Sequence, residues 1–289
     1  MADINIRDLI RKGAPHQVID EAVIRMMELK YAFQVSLALQ TRNSILAVDV
    51  YDLASQLPAT STIAGLKVKG FRVDGPLFEG SSLVTCFKGT SSYVLKYLDT
   101  FEKKRLAFME EKLDGRTHPN IVPYELYEGD IPSHRTFMIM PKYVSTLEPI
   151  SDLDESDTFR LWHDISDALS FLHSHEIAFM DVKPSNICVD AKKFILIDLG
   201  SVASFGTTSS CTTAFLPTDL LPPRYENVKA SASIDWWMLA MTIACKIGPD
   251  ASPPQGPKPR TKEEVVSYLR SNILSSSFLM ELLTKVGFA

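Results

Sequence analysis

Two neighbouring stretches of the chain carry the residue types that phosphoryl chemistry needs: Ala178-Phe-Met-Asp181-Val-Lys183-Pro-Ser-Asn186-Ile-Cys-Val, then Phe194-Ile-Leu-Ile-Asp198-Leu-Gly200. A transferring phosphoryl group requires a carboxylate beside the attacking hydroxyl, a cation near its oxygens, and oxygen ligands that seat Mg²⁺ on the other face. Asp181, Lys183, Asn186 and Asp198 supply those types in order. Taken singly they admit a plainer reading, in which Asp181 and Asn186 satisfy the backbone of one turn and Asp198 caps another.

Positioning such a set takes a scaffold, and the texture of the chain changes on either side of it. Residues 16–40 are rich in apolar side chains and helix formers and hold neither Gly nor Pro, which predicts a long helix; a second runs from Asn43 to Leu57, where Pro58 stops it. The first 65 residues therefore read as a helical annex. From Gly65 onward come short β-prone runs, Leu66 to Val73, Leu83 to Phe87, Ser92 to Leu98 and Thr136 to Met140, which fit an antiparallel sheet. One helix is embedded among them, Phe101 to Leu113, with Leu106, Met109 and Leu113 at helical spacing.

After Pro149, Phe159, Trp162, Ile165, Leu169 and Leu172 recur at steps of three or four, which predicts an amphipathic helix over 156–173. Ile234 to Ile247 is apolar almost all round and predicts a helix buried on every side, while the five prolines of Pro249 to Pro259 mark a loop and Lys262 to Phe288 one or two further helices.

Composition bounds the function. The chain has 289 residues, 45% hydrophobic and 22% charged, enough for two domains or one domain of two lobes. A net charge of −5 provides no basic field for nucleic acid or acidic lipid, and no apolar run is long enough to span a bilayer. The four cysteines, Cys86, Cys188, Cys211 and Cys245, form no CxxC pair and read as free thiols of a reducing compartment, with the cytoplasm as the expected location. His163, His173 and His175 have no Cys or carboxylate at metal-ligand spacing and read as helix-surface or helix-end residues, and Trp236 and Trp237 as core.

The run from Asp181 to Asn186 resembles the catalytic loop of eukaryotic-type serine/threonine protein kinases, and Asp198-Leu-Gly200 resembles their Asp-Phe-Gly motif. Tyr93-Val-Leu-Lys96 is similar to the strand that carries the nucleotide-binding lysine. His118-Pro-Asn-Ile-Val122 resembles the family's step from its upper-lobe helix to the next strand. Leu221-Pro-Pro223 stands where the activation segment ends, and Asp235-x-Trp237 resembles the start of the buried lower-lobe helix. The resemblance implies an α+β, two-lobed protein-kinase-like fold: an annex over residues 1–65, a small sheet lobe over residues 66–141 and a shortened helical lobe over residues 142–289.

It also implies roles. Asp181 and Lys183 would be catalytic, Asn186 and Asp198 would hold Mg²⁺, and Lys96 would bind the α and β phosphates of ATP and pair with a helix carboxylate. Glu102 keeps a kinase-like face with Leu106 and Met109 and is favoured for that pairing; Glu110 stays open as the alternative. Met140-Pro141-Lys-Tyr143 would hold adenine, through a carbonyl at Pro141 and an N–H at Tyr143. The implied activity is transfer of the γ-phosphoryl group of ATP to Ser/Thr hydroxyls of a protein substrate or partner.

Three departures qualify the resemblance. The phosphate-covering loop reads Phe78-Glu-Gly80-Ser-Ser-Leu-Val and keeps only Gly80 of three glycines, so a catalytically weak or inactive pseudokinase that serves as a scaffold is the alternative. Phe179-Met180-Asp181 replaces the family's His-Arg-Asp, so phosphate switching through that arginine is not expected. Few residues follow the buried helix, and the apolar side chains of the helix over 16–40 exceed one stripe, so they either pack on the kinase-like body, which is favoured, or meet another protein.

Overall fold

A computed structural model of the protein describes residues 70–76, 83–128, 136–191, 193–216, 228–248 and 261–287. The expected annex over residues 1–65, Gly80, the segment 221–223 and the whole proline-rich run Pro249 to Pro259 lie outside the described residues. The chain divides into two compact units, one taking the described residues up to Thr100 with Pro123–Lys142, the other Phe101–Val122 with the described residues from Tyr143 onward.

In the first unit the β-prone runs pair as an antiparallel sheet. Its strands are β1 (Arg72–Pro76), β2 (Val84–Lys88), β3 (Ser91–Leu98), β4 (Glu125–Glu128) and β5 (Thr136–Pro141), in the order β1-β2-β3-β5-β4. Strands β2 and β3 are joined at Gly89-Thr90, where Gly89 has φ +60°, a value that glycine adopts without a side-chain penalty. The register of β1 on β2 slips between Val73 and Gly75, which makes a bulge at Asp74. Phe71, Val84, Cys86, Leu95, Tyr127, Phe137 and Ile139 bury one another in the core of this unit. Residues 66–69 of the first expected run lie outside the described residues, and β4, Glu-Leu-Tyr-Glu, had no recognisable signal because it carries no β-branched residue.

Helix α1 (Thr100–Leu113), which from Phe101 onward belongs to the second unit, buries the expected Leu106, Met109 and Leu113 and ends where Asp114 and Gly115 take positive φ. The stretch after it is tied to strand β9 (Lys193–Leu196): Leu196 N–H donates to Asn120 O, Val122 N–H to Leu196 O, and the Asn120 side chain to Phe194 O. Helix α2 (Glu155–Ser174) starts at Asp154, whose carboxylate accepts from Asp157 N–H at 2.7 Å. Its buried stripe is Leu161, Trp162, Ile165, Leu169 and Leu172; Phe159 lies at the stripe's edge, 49% exposed, and meets Phe278 edge-on.

Helix α3 (Ala232–Ala244) is buried from Ile234 to Ala244, as its all-round apolarity requires. Strands β6 (Ser145–Thr146), β8 (Ile187–Asp190) and β9 form one small sheet, while β7 (Ile177–Ala178) pairs with β10 (Ala203–Ser204). Helices α4 (Lys262–Asn272), begun by a Thr261/Glu264 capping box, and α5 (Ser276–Lys285) complete the unit. The buried Lys246, just past α3, donates to Glu148 O and Ile150 O, and its pKa is lowered chiefly by burial. Among the described residues no helix is long and apolar enough to cross a membrane.

Candidate active site

Strand β7 delivers the chain into a loop whose backbone α3 holds from beneath. Asp235, wholly buried in the first turn of α3, accepts Met180 N–H on Oδ1 at 2.7 Å and Phe179 N–H on Oδ2 at 2.8 Å. His173 Nε2 donates to the same Oδ2 at 2.8 Å, so His173 is a half-buried partner of this carboxylate rather than the helix-surface residue its position suggests. Met180 has φ +68°, a strained value for a non-glycine residue, and its amide is one of the two that Asp235 anchors. Thr242 Oγ1 of α3 adds a bond to Val182 O at 3.3 Å.

The loop so held presents Asp181, and four donors fix its carboxylate. Oδ1 accepts from Thr212 N–H at 3.1 Å and from the Thr212 hydroxyl at 2.5 Å; Oδ2 accepts from Asn186 Nδ2 at 2.7 Å and from Lys183 Nζ at 2.9 Å. Lys183 Nζ also donates to the Thr212 hydroxyl at 2.8 Å. The structure thus brings together Asp181, Lys183 and Asn186 around a threonine that nothing in the sequence had singled out.

Both amide hydrogens of Asn186 are directed at Asp181, one to its carboxylate and one to its carbonyl at 3.0 Å, so the Asn186 amide oxygen is turned to the opposite side. Ile197 N–H donates to Asn186 O at 2.9 Å, which brings the next residue, Asp198, alongside. Asp198 sits in the left-handed region at φ +59°, with its Oδ1 accepting from Gly200 N–H at 3.3 Å. Among the described residues no cluster of three or more His, Cys, Asp or Glu side chains is assembled for a metal. One amide oxygen and one carboxylate instead suit Mg²⁺, a hard cation that completes an octahedron with waters and phosphate oxygens.

Glu102 of α1 lies against the same motif: a side chain added at Gly200 would come within 2.6 Å of Glu102 Oε1 and 3.2 Å of Asp198 Oδ1. Glu110, the alternative, is exposed. Arg105, one turn beyond Glu102, donates from Nη1 to Gly200 O at 2.6 Å and to Ser210 Oγ at 3.1 Å. The segment between Gly200 and Thr212 is ordered by bonds from Ser209 N–H to Val228 O, Ala230 N–H to Thr207 O and Gly206 N–H to Ala230 O. Beside Thr212, burial and then the Asp181 charge push the Cys211 thiol up to about 11.

In the first unit Lys96 is half-buried on β3 opposite Met138. Lys142 N–H bonds Ser92 O, so the preceding pair, Pro141 and Tyr93, is a non-hydrogen-bonded one and the proline forfeits no ladder bond. The Pro141 carbonyl therefore faces away from β3, on the side where β4 has already ended opposite Ile139, while Met140 is buried at the ladder position before it. Tyr143, in the second unit, is half-buried, and its phenol is pushed up to about 12, first by burial and then by the Cys188 and Asp190 charges.

Comparison with known proteins follows the same outline. The family model for the protein kinase domain matches residues 83–266. Among curated proteins, the inhibitor of nuclear factor kappa-B kinase subunit alpha of Xenopus laevis is 28% identical over 153 residues, covering 45% of this chain and 20% of that protein. The cAMP-dependent protein kinase catalytic subunit of Schizosaccharomyces pombe is 32% identical over 78 residues, covering 26% and 15%. The matches span about a third or less of such relatives' own length. The solved structure of the Cydia pomonella Granulovirus kinase, PK-1, superposes with a TM-score of 0.58 at 18% identity, covering 79% of this chain and 92% of that one, which shows the fold.

Proposed function

Since the chain belongs to the protein kinase family, we propose that it transfers the γ-phosphoryl group of ATP to Ser or Thr hydroxyls of a protein substrate, with Asp181 and Lys183 as catalytic residues. The observation that carries the reading is the Thr212 hydroxyl, which donates to Asp181 while accepting from Lys183. An aliphatic hydroxyl seated between a carboxylate and an ammonium is the arrangement that an attacking serine or threonine requires.

In the proposed reaction Asp181 orients the substrate hydroxyl, whose proton passes to a carboxylate oxygen as its oxygen bonds the γ-phosphorus and the bond to the β-phosphate oxygen breaks, releasing ADP. Lys183 offsets charge on the transferring oxygens. Asn186 and Asp198 supply the protein ligands for Mg²⁺, which when bound neutralises phosphate charge. Lys96 positions the α and β phosphates with Glu102 as its carboxylate, Gly80 backs the phosphates, and Met140, Pro141 and Tyr143 form the adenine-binding stretch, Pro141 through its outward carbonyl. The wholly buried Asp235 keeps the loop in place.

The second reading, a nucleotide- or protein-binding scaffold without transfer, is favoured by one feature, the loss of two glycines from Phe78-Glu-Gly80-Ser-Ser-Leu-Val. Transfer of radiolabelled γ-phosphate by the natural protein and by Asp181→Asn, with generic protein substrates and with the chain itself, separates the two. Incorporation lost in Asp181→Asn supports catalysis; ATP·Mg²⁺ binding with no incorporation by either protein supports the scaffold.

A further inference from the structure

The stretch that leaves α1 is fastened to the end of α2. Arg116 Nη1 donates to His175 Nε2 at 2.9 Å, and the His118 ring stacks on Phe171 with centroids 5.2 Å apart. Phe171 also meets the His175 ring, at 4.9 Å, so one phenyl contacts both imidazoles. Fixed points stand on either side: Lys112 in the last turn of α1 pairs with Glu176 at 3.1 Å, and the Asn120 side chain is bonded to Phe194 O.

The partners of the two rings settle where their protons sit. His175 Nδ1 meets Phe171 O at 2.8 Å, and a carbonyl can only accept, so Nδ1 carries the hydrogen. The Ser174 hydroxyl gives its own hydrogen to Phe171 O and accepts from the same ring nitrogen at 3.1 Å. Nε2 faces a guanidinium, which can only donate, so it keeps its lone pair. His118 Nδ1 accepts Asn120 N–H at 3.3 Å, so its lone pair is in use as well. A proton on His175 Nε2 or on His118 Nδ1 would set donor against donor.

We propose that His175 and His118 form an acid-released joint, which seats the stretch around Arg116 on the end of α2 while both rings are neutral and lets it go when they are protonated. An ordinary imidazole titrates at about pH 6.5, so mild acidification is the signal. Release uncovers the half-buried Phe171 between the fixed points at Lys112 and Asn120.

The surrounding charges differ at the two rings. His175 faces the Arg116 cation, while the neighbouring Glu176 is engaged by Lys112. Burial lowers the pKa of His118 against the opposing pull of Asp167 and Asp164 on α2, carboxylates that also lie 3.7 and 3.8 Å from the exposed His163. The unfolded chain therefore takes up this proton first. The stability that His118 contributes is present above about pH 6.5 and is lost as the pH falls through that value.

The test is a double-mutant cycle in the full chain at about pH 7.5 and about pH 5, on either side of the imidazole range. Arg116→Met removes the cation and keeps an unbranched stem; His175→Phe keeps a ring against Phe171 and removes both nitrogens. All four proteins are compared at one pH, so groups outside the pair cancel. Urea denaturation should give a favourable coupling of about twofold or more in the folding constant at the higher pH. At the lower pH the coupling should vanish or turn unfavourable. Equal favourable coupling at both pH values overturns the proposal, as does none at either. Imidazole nitrogen NMR of the natural protein needs no variant to fold. At the higher pH it should show the hydrogen of His175 on Nδ1 and that of His118 on Nε2, and a charged ring or the opposite tautomer there refutes the joint. Neither measurement uses phosphoryl transfer, so the joint stands or falls independently of catalysis.

Discussion

Replacing Asp235 by asparagine removes one acceptor oxygen from a site that receives three donors. The best compromise keeps the amide oxygen at the Oδ2 position, where it still accepts from His173 Nε2 and Phe179 N–H, and turns the amide NH₂ against Met180 N–H. A hydrogen bond to a charged group is lost and a buried N–H is left facing another donor. At about 1.5–3 kcal/mol for the first and about 1–3 kcal/mol for the second, with relaxation absorbing part, the expected loss is roughly 2–4 kcal/mol.

Met180 holds φ +68° with that amide anchored, so the loop before Asp181 should relax toward an unstrained backbone and the carboxylate should drift from Thr212 and Asn186. Urea denaturation should show a lower midpoint at unchanged slope. Phosphoryl transfer should show kcat reduced by about tenfold or more, as misplacement of a positioned group implies, with little change in KM for ATP. Stability within about 0.5 kcal/mol of the natural protein, the usual range for inconsequential surface changes, would refute the reasoning that this carboxylate holds the loop.

Thr212→Val leaves Asp181 Oδ1 without its hydroxyl donor and Lys183 without one acceptor, so transfer should fall while Thr212→Ser retains it; equal rates for all three proteins would remove Thr212 from the site. Burial raises the thiols of Cys86, Cys188 and Cys211 from 9.0 to about 11, so the unfolded chain loses these protons first and stability should decline as pH rises from about 9 to about 11; denaturation midpoints across that range check the sign, and a rising midpoint contradicts it. ATP should raise the melting temperature more with Mg²⁺ than with EDTA, following RT ln(1 + [L]/Kd), and Asp198→Ala should erase the difference; an undiminished metal effect in that variant would exclude Asp198 as a ligand. Gly200→Ala should displace the Glu102 carboxylate, which a new methyl would approach to 2.6 Å, and lower transfer more than stability; activity equal to the natural protein's would show that Glu102 need not lie there.

Much of this protein is decided by local pattern. The buried stripes of α1 and α2 and the all-round burial of α3 follow from the spacing of apolar residues, because helical period is a property of neighbours three and four apart. The Asp181–Asn186 bond spans five residues, short enough for the turn at Pro184 to dictate, and so the spacing of the loop alone could suggest it. Strand β4 was not legible, since its pairing with β5 is imposed by a sheet rather than by its own residues.

What only the tertiary structure decided is which distant groups complete the site. Thr212 reaches Asp181 from 31 residues away, Asp235 reaches Met180 from 55, and Arg105 reaches Ser210 from 105. No residue in those stretches differs locally from a solvated threonine, a helix-starting aspartate or a surface arginine. Phe159 shows the converse, standing in register with the apolar stripe yet half-exposed at its edge, where its ring meets Phe278 edge-on. Sequence period fixes which face of an element is apolar; the packing of one element on another fixes which polar atoms face each other across it, and catalytic geometry is made of those atoms.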